Sequence, residues 1–91
     1  MTEARRLVIT GYVQGIGYRY AMVRTAQNLG VTGWVRNRAD GSVEAMICGD
    51  AEQVAAMIAW ARRGPAGAEV THVAVELGSG SYGDFTQQAS A

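Results

Sequence analysis

Gly11-Tyr12-Val13-Gln14-Gly15-Ile16-Gly17-Tyr18-Arg19 joins a strand-like run to a helix-like run. Before it, Leu7 to Val13 is apolar and rich in β-branched residues, the pattern of a well-buried strand. After it, Met22, Val23, Ala26 and Leu29 recur at helical spacing, and Gly30 stands where a left-handed glycine closes a helix. The stretch is therefore a strand end, a glycine turn and a helix start at Arg19. Two closely spaced glycines let successive backbone amides curl inward, and the helix start adds partial positive charge. Arg19 brings a forked guanidinium that matches two oxygens of one anion. Such a turn suits an oxyanion.

Further along, Val31 to Asn37 alternates Val31, Gly33 and Val35 against Thr32, Trp34 and Arg36, a half-buried strand. Asn37 to Gly41 is rich in turn formers, and Ser42 to Cys48 alternates again, so the two strands form a hairpin. A second helix follows, with Asp50 and Gln53 as a capping box, Val54, Met57, Ile58 and Ala61 as its apolar stripe, and Gly64-Pro65 as its stop. Val70 to Leu77 is the last clear strand. The order β-α-β-β-α-β predicts an α+β, ferredoxin-like fold, an antiparallel sheet with both helices on one face. Gly78-Ser79-Gly80-Ser81 is a flexible link, and the polar stretch after it carries no clear pattern beyond Tyr82 and Phe85, which are expected to cover a sheet edge or part of the core.

Ninety-one residues make one domain with one core, spanning 1–91, with 1–5 and 87–91 expected to be flexible. Eight basic and eight acidic side chains cancel, which argues against nucleic acid or an anionic membrane as partner. No apolar run approaches the ~20 residues needed to span a bilayer, and the polar start is unlike a signal peptide. Cys48 is the only cysteine, so neither an intramolecular disulfide nor a cysteine-based zinc site can form. Asp40 and Glu44 have no partners at metal-ligand spacing, and no metal or cofactor is expected. A cytoplasmic monomer is the expectation.

Val13-Gln14-Gly15-Ile16-Gly17-Tyr18-Arg19 and Gly33-Trp34-Val35-Arg36-Asn37, continuing through Asp40-Gly41-Ser42-Val43-Glu44, resemble the two signature segments of the acylphosphatases. These are small ferredoxin-like enzymes that hydrolyse carboxyl-phosphate mixed anhydrides, and the similarity runs from about residue 6 to 77. The resemblance implies that Arg19 and the loop formed by Gln14, Gly15, Ile16, Gly17 and Tyr18 bind the phosphoryl group. It implies that the Asn37 side chain positions the attacking water, and that the substrate is a small acyl phosphate. Ile16 and Tyr18 stand where the family more often has valine and phenylalanine. The polar ending Thr86-Gln87-Gln88-Ala89-Ser90-Ala91 departs further, because relatives usually close on an apolar strand.

The chemistry is coherent without the family. The carboxylate leaving group of an acyl phosphate comes from an acid of pKa about 4 to 5, so it departs unprotonated and needs no general acid. Phosphoryl transfer is then positioning and charge stabilisation, which an arginine, a ring of amides and a side-chain amide can supply. His72, the only histidine, lies far from both segments in sequence. A P-loop nucleotide enzyme is excluded because no Gly-Lys-Ser/Thr follows the glycines. An RNA-recognition module shares the element order, but Ser42, Glu44 and Met46 make a poor stacking surface. A non-catalytic anion-binding module of acylphosphatase type is the remaining alternative. It needs Arg19 and the loop but not Asn37.

Overall fold

The computed structural model describes residues 2–91. Strand β1 (Glu3–Tyr12) leads through the glycine turn into helix α1 (Tyr18–Leu29), which ends on left-handed Gly30, whose φ is 78°. Strands β2 (Thr32–Asn37) and β3 (Val43–Gly49) form the expected hairpin. Its turn is held by Asp40, whose carboxylate accepts from the Ser42 amide at 2.9 Å and from the Ser42 hydroxyl. Helix α2 (Ala51–Arg63) carries the full capping box: the Gln53 amide donates to Asp50 Oδ1 at 2.8 Å and the Asp50 amide to Gln53 Oε1 at 2.9 Å. Strand β4 (Glu69–Leu77) follows, then a short β5 (Phe85–Gln87).

The sheet order is β4-β1-β3-β2-β5. Leu7, Ile9, Val35, Val43, Ala45, Ile47 and Val73 project from one face, where Tyr18, Met22 and Ala26 of α1 and Val54, Met57 and Ala61 of α2 close the core. Burial of these side chains, at about 25 cal/mol per Å² of apolar surface, is the main force holding both helices to the sheet. Both helices lie on that face, as the α+β expectation requires. The four expected strands pair antiparallel throughout, and the sheet is mixed only because a fifth strand, β5, runs parallel to β2 with Gly33, Trp34 and Val35 opposite Phe85, Thr86 and Gln87. Phe85 is the reason: it is the one large apolar side chain of the tail, and it fills the core beside β2.

The ends also differ from expectation. Glu3, Ala4 and Arg5 pair with Gly49, Cys48 and Ile47 of β3, so β1 begins well before Leu7. Beyond β5, the Gln88 amide donates to the Val35 carbonyl at 2.8 Å and the Ala91 amide to the Asn37 carbonyl at 3.0 Å. These backbone bonds require no apolar side chain, which is why a polar tail can follow the sheet edge.

On the face away from the helices, Glu44 of β3 is buried between two arginines. Arg6 of β1 donates to Oε2 at 2.6 Å and Arg36 of β2 to Oε1 at 2.7 Å. Arg6 also reaches Glu76 of β4 at 2.8 Å, so one charge row ties four strands together. Beside it, Gly78 to Tyr82 crosses over Met46 and Cys48, and Trp34 Nε1 donates to the Tyr82 hydroxyl at 3.4 Å.

Candidate active site

The two segments singled out in the sequence meet at the end of the sheet where β1 turns into α1. A recess of about 130 Å³ there is lined by residues that include Gly15, Gly17, Arg19, Asn37 and Gln87. Gly15 and Gly17 both adopt left-handed backbone, with φ of 79° and 80°. Nothing lies within 4 Å of where a Cβ would stand on either, so the requirement for glycine is conformational and the space beside the backbone is open.

The start of α1 is uncommonly bare. Gly17 is its N-cap, no side chain caps it, and its first turn holds no acidic residue. The first amides of a helix have no partner within the helix, and the dipole leaves partial positive charge there. Helix α2 shows the ordinary solution, with Asp50 and Gln53 satisfying each other and Glu52 in the first turn. No side chain plays that part at the start of α1. Arg19, half-buried on the recess wall, is absent from the ion pairs found among the described residues.

Asn37 comes from the end of β2, on the other wall. Its Oδ1 is the one buried side-chain acceptor without a hydrogen-bond partner among the described residues. An unsatisfied buried acceptor costs about 1–3 kcal/mol, so such an atom marks a place for a donor. At about 30 Å³ per water molecule, the recess has room for several waters, or for an anion with a water beside it.

Not every expected loop residue turns its side chain to the recess. Tyr18 is buried in the core, donates its hydroxyl to the Ala61 carbonyl at 2.8 Å, and packs against Trp60 with ring centroids 5.3 Å apart. Burial pushes its phenol well above the ordinary tyrosine range. Ile16 packs against the core. The Gln14 side chain points to the hairpin, donating from Nε2 to the carbonyls of Arg38 at 2.9 Å and Ser42 at 2.8 Å. Only the backbones of Ile16, Tyr18 and Gln14 remain for an anion. Gln87 was missed in the sequence, since nothing local says that a glutamine near a polar end joins a parallel edge strand. Arg36 is spent on Glu44 and lies over the Trp34 ring at 5.0 Å, while Arg38 stands 4.0 Å from Asp40.

A larger groove of about 280 Å³, lined by Arg62, Val70, Thr71, His72 and Val73, lies between α2 and β4. Size does not make it the site, because it holds neither a glycine turn nor an unpartnered acceptor. Among the described residues no three His, Cys, Asp or Glu side chains converge as a metal cage, and no helix is long and apolar enough to cross a membrane.

The sequence profile of the acylphosphatases matches residues 5–86. The chain belongs to the acylphosphatase family. A curated relative named acylphosphatase, from Albidiferax ferrireducens, is 52% identical over 85 residues, covering 93% of this chain and 92% of the relative. An acylphosphatase structure from Coxiella burnetii superposes with a TM-score of 0.90 at 31% identity, covering 96% of this chain and 93% of the other. The fold also matches part of a much longer protein, full-length HypF in a phosphate- and nucleotide-bound form, at a TM-score of 0.89 and 26% identity over 12% of that chain. Membership makes this chain a hydrolase of the acylphosphatase class, and the ferredoxin-like arrangement is the one its structural neighbours share.

Proposed function

We propose that the chain hydrolyses the carboxyl-phosphate bond of small acyl phosphates by direct attack of a water held by Asn37. The phosphoryl group is held by Arg19 and by the amides from Gly15 to Arg19. The observation that carries this reading is the unpartnered Asn37 Oδ1 in the same recess as Arg19 and the uncapped helix start. Arg19 and the amides neutralise the equatorial oxygens, whose charge must be met throughout the displacement. The Asn37 Oδ1 accepts a hydrogen bond from the water and so turns the water's lone pair toward phosphorus. As the new P–O bond forms, the bond to the acyl oxygen breaks. The carboxylate leaves with the electron pair, and the water proton passes to a phosphate oxygen. The leaving group needs neither protonation nor a Lewis acid, so the mechanism is metal-free.

The same reading has a monomer acting in the cytoplasm on a small molecule, with no nucleic-acid or membrane partner. Its support is the cancelled charge and a sheet face occupied by the Arg6–Glu44–Arg36 row and the Tyr82 segment, where RNA would need exposed aromatics.

Two variants test the assignment. Inorganic phosphate, which resembles the product, raises the stability of the parent by about 2.7 kcal/mol at one hundred times its Kd. In Arg19→Ala both benzoyl phosphate turnover and this protection are lost. In Asn37→Ala turnover falls by about two orders of magnitude while phosphate still protects. Near-normal turnover in Asn37→Ala removes the water-positioning role, and phosphate protection without any acyl phosphate hydrolysis by the parent leaves an anion-binding module.

A further inference from the structure

Gln14 links the anion loop to the hairpin that carries Asn37. It lies just before Gly15, and its half-buried side chain leaves the loop for the other wall of the site. There Nε2 donates to Arg38 O at 2.9 Å and to Ser42 O at 2.8 Å, the two carbonyls at the mouth of the β2–β3 turn. The turn is itself closed by the Arg38 amide donating to Ser42 O at 2.9 Å and the Gly41 amide to Arg38 O at 3.2 Å. Both partners of Gln14 are carbonyls, which only accept, so the end of the side chain facing them must be its NH2 group. Both of its protons are used, and none is left for a phosphoryl oxygen.

Asn37 is the residue immediately before Arg38, so the bond from Gln14 to Arg38 O holds the Arg38–Ala39 peptide, one residue beyond Asn37 at the end of β2. We infer that Gln14 is a positioning residue, setting the separation between the phosphoryl cradle at Gly15 to Arg19 and the water-holding amide of Asn37. In-line attack depends on that separation, and a misplacement of about 1 Å costs up to about a hundredfold in rate. The inference rests on the role proposed for Asn37. It distinguishes Gln14 from Tyr18, whose hydroxyl hydrogen-bonds to the Ala61 carbonyl and so anchors the loop to α2.

The test combines Gln14→Ala, Gln14→Glu, Asn37→Ala and the double variant Gln14→Ala/Asn37→Ala, with kcat, KM and phosphate protection measured on each. In Gln14→Ala, kcat is expected to fall about ten- to hundredfold, with KM and the phosphate Kd within about twofold of the parent, because the cradle does not include this side chain. Gln14→Glu keeps the shape but, when ionised, presents only acceptors to two carbonyls. Its kcat relative to the parent is expected to rise as the pH is lowered and the carboxyl regains one O–H donor. This pH-dependent recovery keeps the test decisive even where Gln14→Ala does not fold. In the Asn37→Ala background, Gln14→Ala is expected to cause no further loss of kcat. Parental kcat in Gln14→Ala beside an inactive Asn37→Ala overturns the inference and leaves Asn37 standing. A raised phosphate Kd with unchanged kcat overturns it in favour of direct phosphate contact. A flat ratio for Gln14→Glu across pH also overturns it. Parental turnover in Asn37→Ala overturns the Asn37 role and this inference with it.

Discussion

Replacing Glu44 by alanine removes the centre of the charge row on the open face of the sheet. Glu44 is only 5% exposed and receives Arg6 at 2.6 Å and Arg36 at 2.7 Å. Deleting one partner of a fully buried pair costs about 3–5 kcal/mol, because the other charge is left stranded. Here the stranded arginines have side chains 29% and 34% exposed, so water reaches both guanidinium groups. Arg6 also keeps Glu76, and Arg36 keeps the Trp34 ring. The expected cost is therefore lower, about 2 kcal/mol. At about 4–8 °C per kcal/mol for a domain of this size, Tm falls by about 8–16 °C. Circular dichroism melts at neutral pH measure it, and kcat at a temperature well below the variant's Tm remains parental, since Glu44 does not line the recess. The pH dependence adds a second reading. Burial pushes the Glu44 carboxyl up, but hydrogen bonds from Arg36 and Arg6 outweigh it and hold the group below its ordinary 4.5. A depressed folded pKa gives stability that is present above the unfolded value and lost as pH falls through the folded one. The parent's Tm thus drops in acid below about pH 4.5, and Glu44→Gln lacks that share of the drop. A Glu44→Ala melt within 2 °C of the parent refutes the reasoning, as does an acid profile unchanged in Glu44→Gln.

Gly33→Ala places a methyl against the Met46 carbonyl oxygen of the neighbouring strand, on backbone with φ of 136°. Neither side can yield without breaking the β2–β3 ladder, so the variant is expected to be unfolded or to lose at least about 3 kcal/mol in urea titration. Removing residues 87–91 deletes the bonds from Gln88 and Ala91 to β2 and the Gln87 part of the recess wall. Two backbone bonds at about 0.5–1.5 kcal/mol each predict a Tm lower by several degrees, together with weaker phosphate protection; a parental melt would show the tail to be dispensable.

What was legible in the sequence is what local signals encode. Gly30, the Asp50–Gln53 box and Gly64 mark helix ends within a few residues of themselves, and the structure puts the ends there. Two motifs single out Arg19 and Asn37, and the fold brings them to one recess. What was not legible depends on partners distant in sequence. Gln14 is legible as part of the glycine loop, but the bridge its side chain makes to the hairpin is not, because its acceptors lie 24 and 28 residues away. Glu44 sits at a position that alternation marks as outward, and only the central place of β3, between Arg6 and Arg36, shows why a carboxylate is buried there. Strand β5 has three residues and one apolar side chain, too little for any periodicity, so its parallel pairing with β2 arises from the Phe85 pocket and the free edge of β2.

Hydrolysis of benzoyl phosphate in water enriched in the heavy oxygen isotope tests the central claim most directly. Attack by an Asn37-held water on the phosphorus held by Arg19 puts the heavy oxygen into inorganic phosphate and none into benzoate. Heavy oxygen recovered in the benzoate means attack at the carbonyl carbon, and contradicts the account.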